Sequence, residues 1–146
     1  MDYFHLNASR EELLNMSSLG LAHLGDGVFE LMVRAWLCLH GKVKVKDLHR
    51  ATVSYVAAPA QAAAMERLLP LLTDEEADVY RRGRNTAPHS VPRAATRAQY
   101  QSATGLEALF GWLYLQGRTD RLNELFQCVM EPAESPVPDG GAPHAP

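Results

Sequence analysis

An all-α fold is what this chain predicts, and three observations predict it. Two long segments, each closed by a glycine, carry apolar residues at helical spacing, and capping boxes mark other helix starts. No stretch alternates strongly enough to propose a sheet.

Taken in order, Ser9-x-x-Glu12 has the form of a capping box opening a short first helix with Leu13, Leu14 and Met16. Ser17 or Ser18 then caps a long helix running through Leu39 to Gly41, a residue suited to a left-handed terminus. In that helix Leu21, Leu24, Val28, Leu31, Ala35 and Leu39 form one stripe expected to be buried. The loop GKVKVKD follows, with Asp47 as the cap of the next helix. Leu48, Ala51, Tyr55 and Val56 pattern that helix, Pro59 opens another that ends at Pro70, and Thr73-x-x-Glu76 is a second capping box. The helix it opens should run to Gly83. Its last turn carries Arg81 and Arg82, and RRGRN continues into TAPHSVPR, where Pro88 and Pro92 exclude helix, so a cationic loop including His89 and Arg93 is expected. A second long helix from about Thr96 to Gln116 is closed by Gly117, and a last one runs from Thr119 or Asp120 to Met130.

The chain has 146 residues, 47% hydrophobic and 21% charged, which suits one globular domain able to bury a core. That domain is expected over residues 1–130, with 131–146 a Pro- and Gly-rich tail expected to be disordered. No apolar run approaches the roughly 20 residues of a membrane span, and the N-terminal stretch lacks an export pattern. Only Cys38 and Cys128 are present, without metal-ligand spacing, so a reducing cytoplasm fits and a disulfide framework does not.

The net charge of −3 argues against a nucleic-acid partner until its distribution is considered. Glu131, Glu134 and Asp139 lie in the tail, which leaves 14 basic and 14 acidic side chains before it. Between Asp78 and Glu107 there is no acid, while Arg81, Arg82, Arg84, Arg93 and Arg97 make the interval locally basic and suited to phosphate. One or two of these arginines are also explained by the helix dipole. Lys42, Lys44 and Lys46 serve either solvation or phosphate contact.

Two acids stand out. Asp26, in LAHLGDGVFEL at 21–31, lies on a helix that is apolar nearly all round, flanked by Gly25 and Gly27. Glu107, in ATGLEALFGWLYL, shares its stripe with Tyr100, Ala103, Gly111 and Tyr114. A buried carboxylate needs a hydrogen bond, a cation or a metal, and glycines beside it suit a tight approach of another backbone. A core aspartate satisfied by a nearby Ser, Thr or Arg is the plainer alternative for Asp26. Two such helices packed together would bring the acids to one site, where a proton or a cation must separate them.

Four blocks in order carry a resemblance to a known family: LAHLGDGVFEL at 21–31, GKVKVKDLHRATVSYVAAPAQA at 41–62, LTDEEADVYRRGRN at 72–85 and ATGLEALFGWLYLQGR at 103–118. The chain resembles the Mini-III ribonucleases, short members of the ribonuclease III family that consist of the endonuclease domain alone. The resemblance implies a helical endonuclease domain, a homodimer, and double-stranded RNA lying across a valley between protomers. It implies magnesium-dependent phosphodiester hydrolysis, with Asp26 and Glu107 as catalytic metal ligands and a role in maturing the large-subunit ribosomal RNA precursor. Lys44, Lys46, His49 and Arg50, with Arg81, Arg82, Arg84 and Asn85 of RRGRN, are the residues expected on the RNA backbone. Leu19, Ala22 and Thr104 stand where larger family members carry acids, which leaves Asp26 and Glu107 as the acidic positions present. Glu30 is either a further ligand or an exposed helix acid. Gly27, where alanine is usual, bears on helix stability more than on chemistry. The alternative reading is a catalytically inactive RNA-binding module of the same fold; retention of both acids on otherwise apolar stripes favours the enzyme.

Overall fold

A computed structural model of the chain describes residues 1–86 and 94–131. Among them are seven α-helices and no strand: α1 Arg10–Asn15, α2 Ser18–His40, α3 Leu48–Val56, α4 Ala58–Leu68, α5 Asp74–Asn85, α6 Arg97–Leu115 and α7 Thr119–Met130. The expected tail and the loop residues His89 and Arg93 lie outside the described residues.

The helix starts follow their capping chemistry. Ser9, Thr73 and Thr96 each accept from the third residue of their helix, and the side-chain oxygens of Glu12, Glu76 and Gln99 accept in turn from the cap's backbone N–H. Ser17 caps α2 by accepting from Gly20 N–H. The loop after α2 differs from the sequence reading in two ways. Gly41 is right-handed, and the left-handed residue is Lys42, with φ of 44°. Asp47 makes no capping bond; a 3₁₀ turn, Val45–Asp47, leads into α3 instead. Gly117, at φ of 67°, does supply the left-handed terminus of α6.

The central helix of the core is α6, on which Leu106, Ala108, Leu109, Phe110 and Leu113 are fully buried. Phe29 of α2 meets Phe110 and Phe126 edge-on, at ring-centroid distances of 5.4 and 6.1 Å. The side of α2 turned inward is Leu21, Ala22, Gly25, Phe29, Val33 and Leu37. The stripe expected inside is therefore only in part there: Leu24 and Val28 are half-buried, while Leu31 is 51% and Leu39 80% exposed. A helix with two apolar sides satisfies the helical period in either orientation, and periodicity alone does not decide which side the core takes.

Glycines set the spacing of α2 on α6. A Cβ at Gly25 would lie 1.6 Å from the Glu107 carbonyl oxygen, and one at Gly111 would lie 2.1 Å from that of Leu21. Backbone meets backbone there, so no larger residue fits. Gly83 is a second such contact rather than a helix end: a Cβ there would come within 2.7 Å of Ala108 Cβ. The helix does not stop there: α5 continues past Gly83 to Asn85, so Arg84 and Asn85 are helix, not loop.

Glu76 of α5 is fully buried and paired with Arg121 of α7. Nε and Nη2 of that arginine donate to the two carboxylate oxygens at 2.9 and 2.8 Å, and Nη2 also donates to the Leu71 carbonyl at 2.7 Å. Arg121 beside it holds the Glu76 carboxyl below its ordinary range. At the C-terminal end of α6, Tyr114 O–H donates to the Phe4 carbonyl and Ala8 N–H donates to that of Leu115, tying down the N-terminal segment.

Candidate active site

Close approach of α2 and α6 at Gly25 puts Asp26, the next residue along, beside the turn of α6 that carries Glu107. Both line one pocket of about 180 Å³, with Ala22 and His23 from α2 and Tyr100 and Thr104 from α6. The two acids, distant in sequence, are thus brought together. Both acids were expected to be buried, and the structure differs. Asp26 is exposed at the pocket mouth, and Glu107 is the half-buried partner.

The electrostatics follow from that geometry. Desolvation and the neighbouring Asp26 charge push the Glu107 carboxyl up to about 8. Without a cation, Glu107 thus keeps its proton at neutral pH, which spares the pocket a second negative charge. The same pair of oxygens suits a hard divalent cation, and magnesium in particular keeps several of its waters where few carboxylates hold it. Among the described residues no group of three or more His, Cys, Asp or Glu side chains that could hold a metal ion is found.

The other sequence candidates divide. Glu30 is half-buried, pairs with Arg34 at 3.7 Å and does not line the pocket. Arg81 and Arg82 pair with Asp78 one turn back, the latter at 3.2 Å, while Arg84 lies over the Tyr80 ring at 5.8 Å from its centroid. Asn85 is exposed at the end of the same helix. That helix end packs through Gly83 on Thr104, Gly105 and Ala108, the α6 segment around Glu107; none of these basic residues lines the carboxylate pocket, and Arg82 lines a separate one. Lys44, Lys46, His49 and Arg50 lie outside the core, and none of them lines it.

His23, Tyr100 and Thr104 were not chosen as site residues from sequence. The available signal was spacing: His23 lies one turn before Asp26, and Thr104 and Tyr100 lie one and two turns before Glu107.

A helical body with a carboxylate pair held in a pocket by glycine-spaced helices defines the class, an acid-centred site of the kind that binds a divalent cation. The family model for the Ribonuclease III domain matches residues 19–118. Mini-ribonuclease 3 of Symbiobacterium thermophilum is 48% identical over 118 residues, covering 81% of this chain and 91% of the relative. Mini-ribonuclease 3 of a Thermoanaerobacter species is 39% identical, covering 86% of this chain and 89% of its own length. The crystal structure of a Fusobacterium nucleatum protein superposes with a TM-score of 0.73 at 28% identity, covering 80% of this chain and 94% of that one. The chain belongs to the ribonuclease III family, alongside the Mini-ribonuclease 3 proteins.

Proposed function

We propose that this chain is a magnesium-dependent endoribonuclease that cleaves double-stranded RNA, acting as a cytoplasmic homodimer in maturation of the large-subunit ribosomal RNA precursor. The observation that carries the reading is the convergence of Asp26 and Glu107 in one pocket, with Glu107 pushed to about 8 by its surroundings. Family membership supports the reaction class.

In this reading Asp26 and Glu107 hold the cation. Bound there, magnesium supplies an activated water and charge stabilisation at phosphorus. Glu107 gives up its proton when the site is loaded, so both acids serve as anionic ligands rather than as proton acceptors. Gly25 and Gly111 fix the distance between the helices that carry the pair. Arg81, Arg82, Arg84 and Asn85 on one side, and Lys44, Lys46, His49 and Arg50 on another, contact the phosphate backbone and read A-form shape more than sequence.

The homodimer is supported by the apolar side of α2 left outside the core. Leu24, Val28, Leu31 and Met32 form, with Tyr3 and Phe4, a surface groove in which Phe4 is 64% exposed. A second copy covering it would bring two sites to one duplex, each cutting one strand. Incubation with a structured ribosomal RNA precursor, with and without magnesium, followed by mapping of the ends, tests the reading. Staggered cuts leaving 5′-phosphates only with magnesium are expected, and intact RNA under both conditions would refute it.

A further inference from the structure

We propose that Tyr100 is a substrate-contacting residue whose hydroxyl donates a hydrogen bond to a non-bridging oxygen of the scissile phosphate; this rests on the nuclease reading. A phosphodiester entering the carboxylate pocket meets two acids, and no Lys or Arg lines that pocket. As charge builds on the phosphate oxygens, preorganised donors in the pocket wall are what this chain itself can offer them. Three side chains there have a donor: His23, Thr104 and Tyr100. The Thr104 hydroxyl is already committed to the Tyr100 carbonyl at 3.0 Å. His23 is exposed on α2, with nothing to fix its ring.

Tyr100 differs on both counts. Its ring is half-buried, and among the described residues its hydroxyl has no hydrogen-bond partner. It sits seven residues before Glu107, which returns it to the same side of α6 two turns away. Both side chains lean toward the N-terminus of α6, so they keep their two-turn offset along the helix while lining one pocket. Thr104, between them, closes the wall. A phosphate held at the carboxylates therefore shares its pocket with a phenol whose donor is uncommitted among the described residues.

The test is Tyr100→Phe, which removes one oxygen and keeps the ring. Single-turnover cleavage of a short RNA duplex should fall roughly 10- to 100-fold, with duplex affinity and melting temperature unchanged. Sulfur at the contacted phosphate oxygen should slow the wild-type protein and slow Tyr100→Phe much less, because the bond it weakens is already gone. Wild-type cleavage by Tyr100→Phe, a loss confined to affinity, or an equal sulfur effect in both proteins would overturn the assignment. If the wild-type protein fails to cut the duplex, the nuclease reading falls and this inference with it.

Discussion

Glu107 joins local physics to function most directly. Its folded-state pKa, about 8, lies above the ordinary value of 4.5, so the folded protein keeps a proton that the unfolded chain has already lost. Between those values the unfolded state binds fewer protons, and stability therefore falls as pH rises. Melting temperatures measured in chelator should decline from about pH 5 to pH 8, and Glu107→Gln should flatten that decline. An unchanged slope would show that the carboxyl is not the group responsible. Asp26→Asn removes part of the repulsion and should also raise metal-free stability at about pH 8. Such a gain from removing an active-site charge would fit a site held at some cost to the fold.

At the scale of elements, two glycines two residues apart have opposite meanings. Gly25→Ala drives a methyl into the Glu107 backbone and should leave the chain unfolded or insoluble. Gly27 has nothing within 4 Å of a built Cβ, so Gly27→Ala should stabilise by about 1 kcal/mol, readable as a higher denaturant midpoint. The sequence motif marked both as a tight approach, and only Gly25 makes one. The Glu76–Arg121 pair explains a further limit of sequence reading. Glu76 is legible as a capping residue, but its second partner lies 45 positions away and no local pattern announces it. Glu76→Gln should cost roughly 3 kcal/mol, because one partner of a buried pair is removed. Since Arg121 lowers the Glu76 pKa, this contribution is present above the ordinary carboxylate range and is lost as pH falls through the folded value. The variant should accordingly show a weaker acid-unfolding transition than the wild type. RRGRN illustrates the reverse error: Gly83 reads as a terminator because it is glycine, whereas its small size serves packing on α6 and the helix continues past it.

For the whole molecule, the all-helical architecture and the meeting of Asp26 with Glu107 were legible because each rests on a repeated local pattern: capping residues, helical spacing and glycines beside an acid. The orientation of α2 was not, since both its sides are apolar and one of them is left exposed. That outward side gives a prediction at this scale. Leu31→Arg should convert a dimer to a monomer in sedimentation while leaving the helical circular dichroism intact; an unaltered sedimentation coefficient would place any self-association elsewhere. Neutralising Arg81, Arg82 and Arg84 should weaken duplex binding and reduce the slope of affinity against salt, since fewer phosphates are then neutralised and fewer counterions released. Asp78 shares the first two of these arginines, so Arg84→Gln alone is expected to account for much of the change.

The most direct measurement is magnesium-titrated cleavage of a duplex RNA by the wild-type protein, Asp26→Asn and Glu107→Gln, each first shown to be folded and to bind the duplex. Magnesium-dependent cutting by the wild type alone is the predicted result. Cutting at the wild-type rate by either variant, or by the wild type in chelator, would contradict a shared cation held by these two carboxylates.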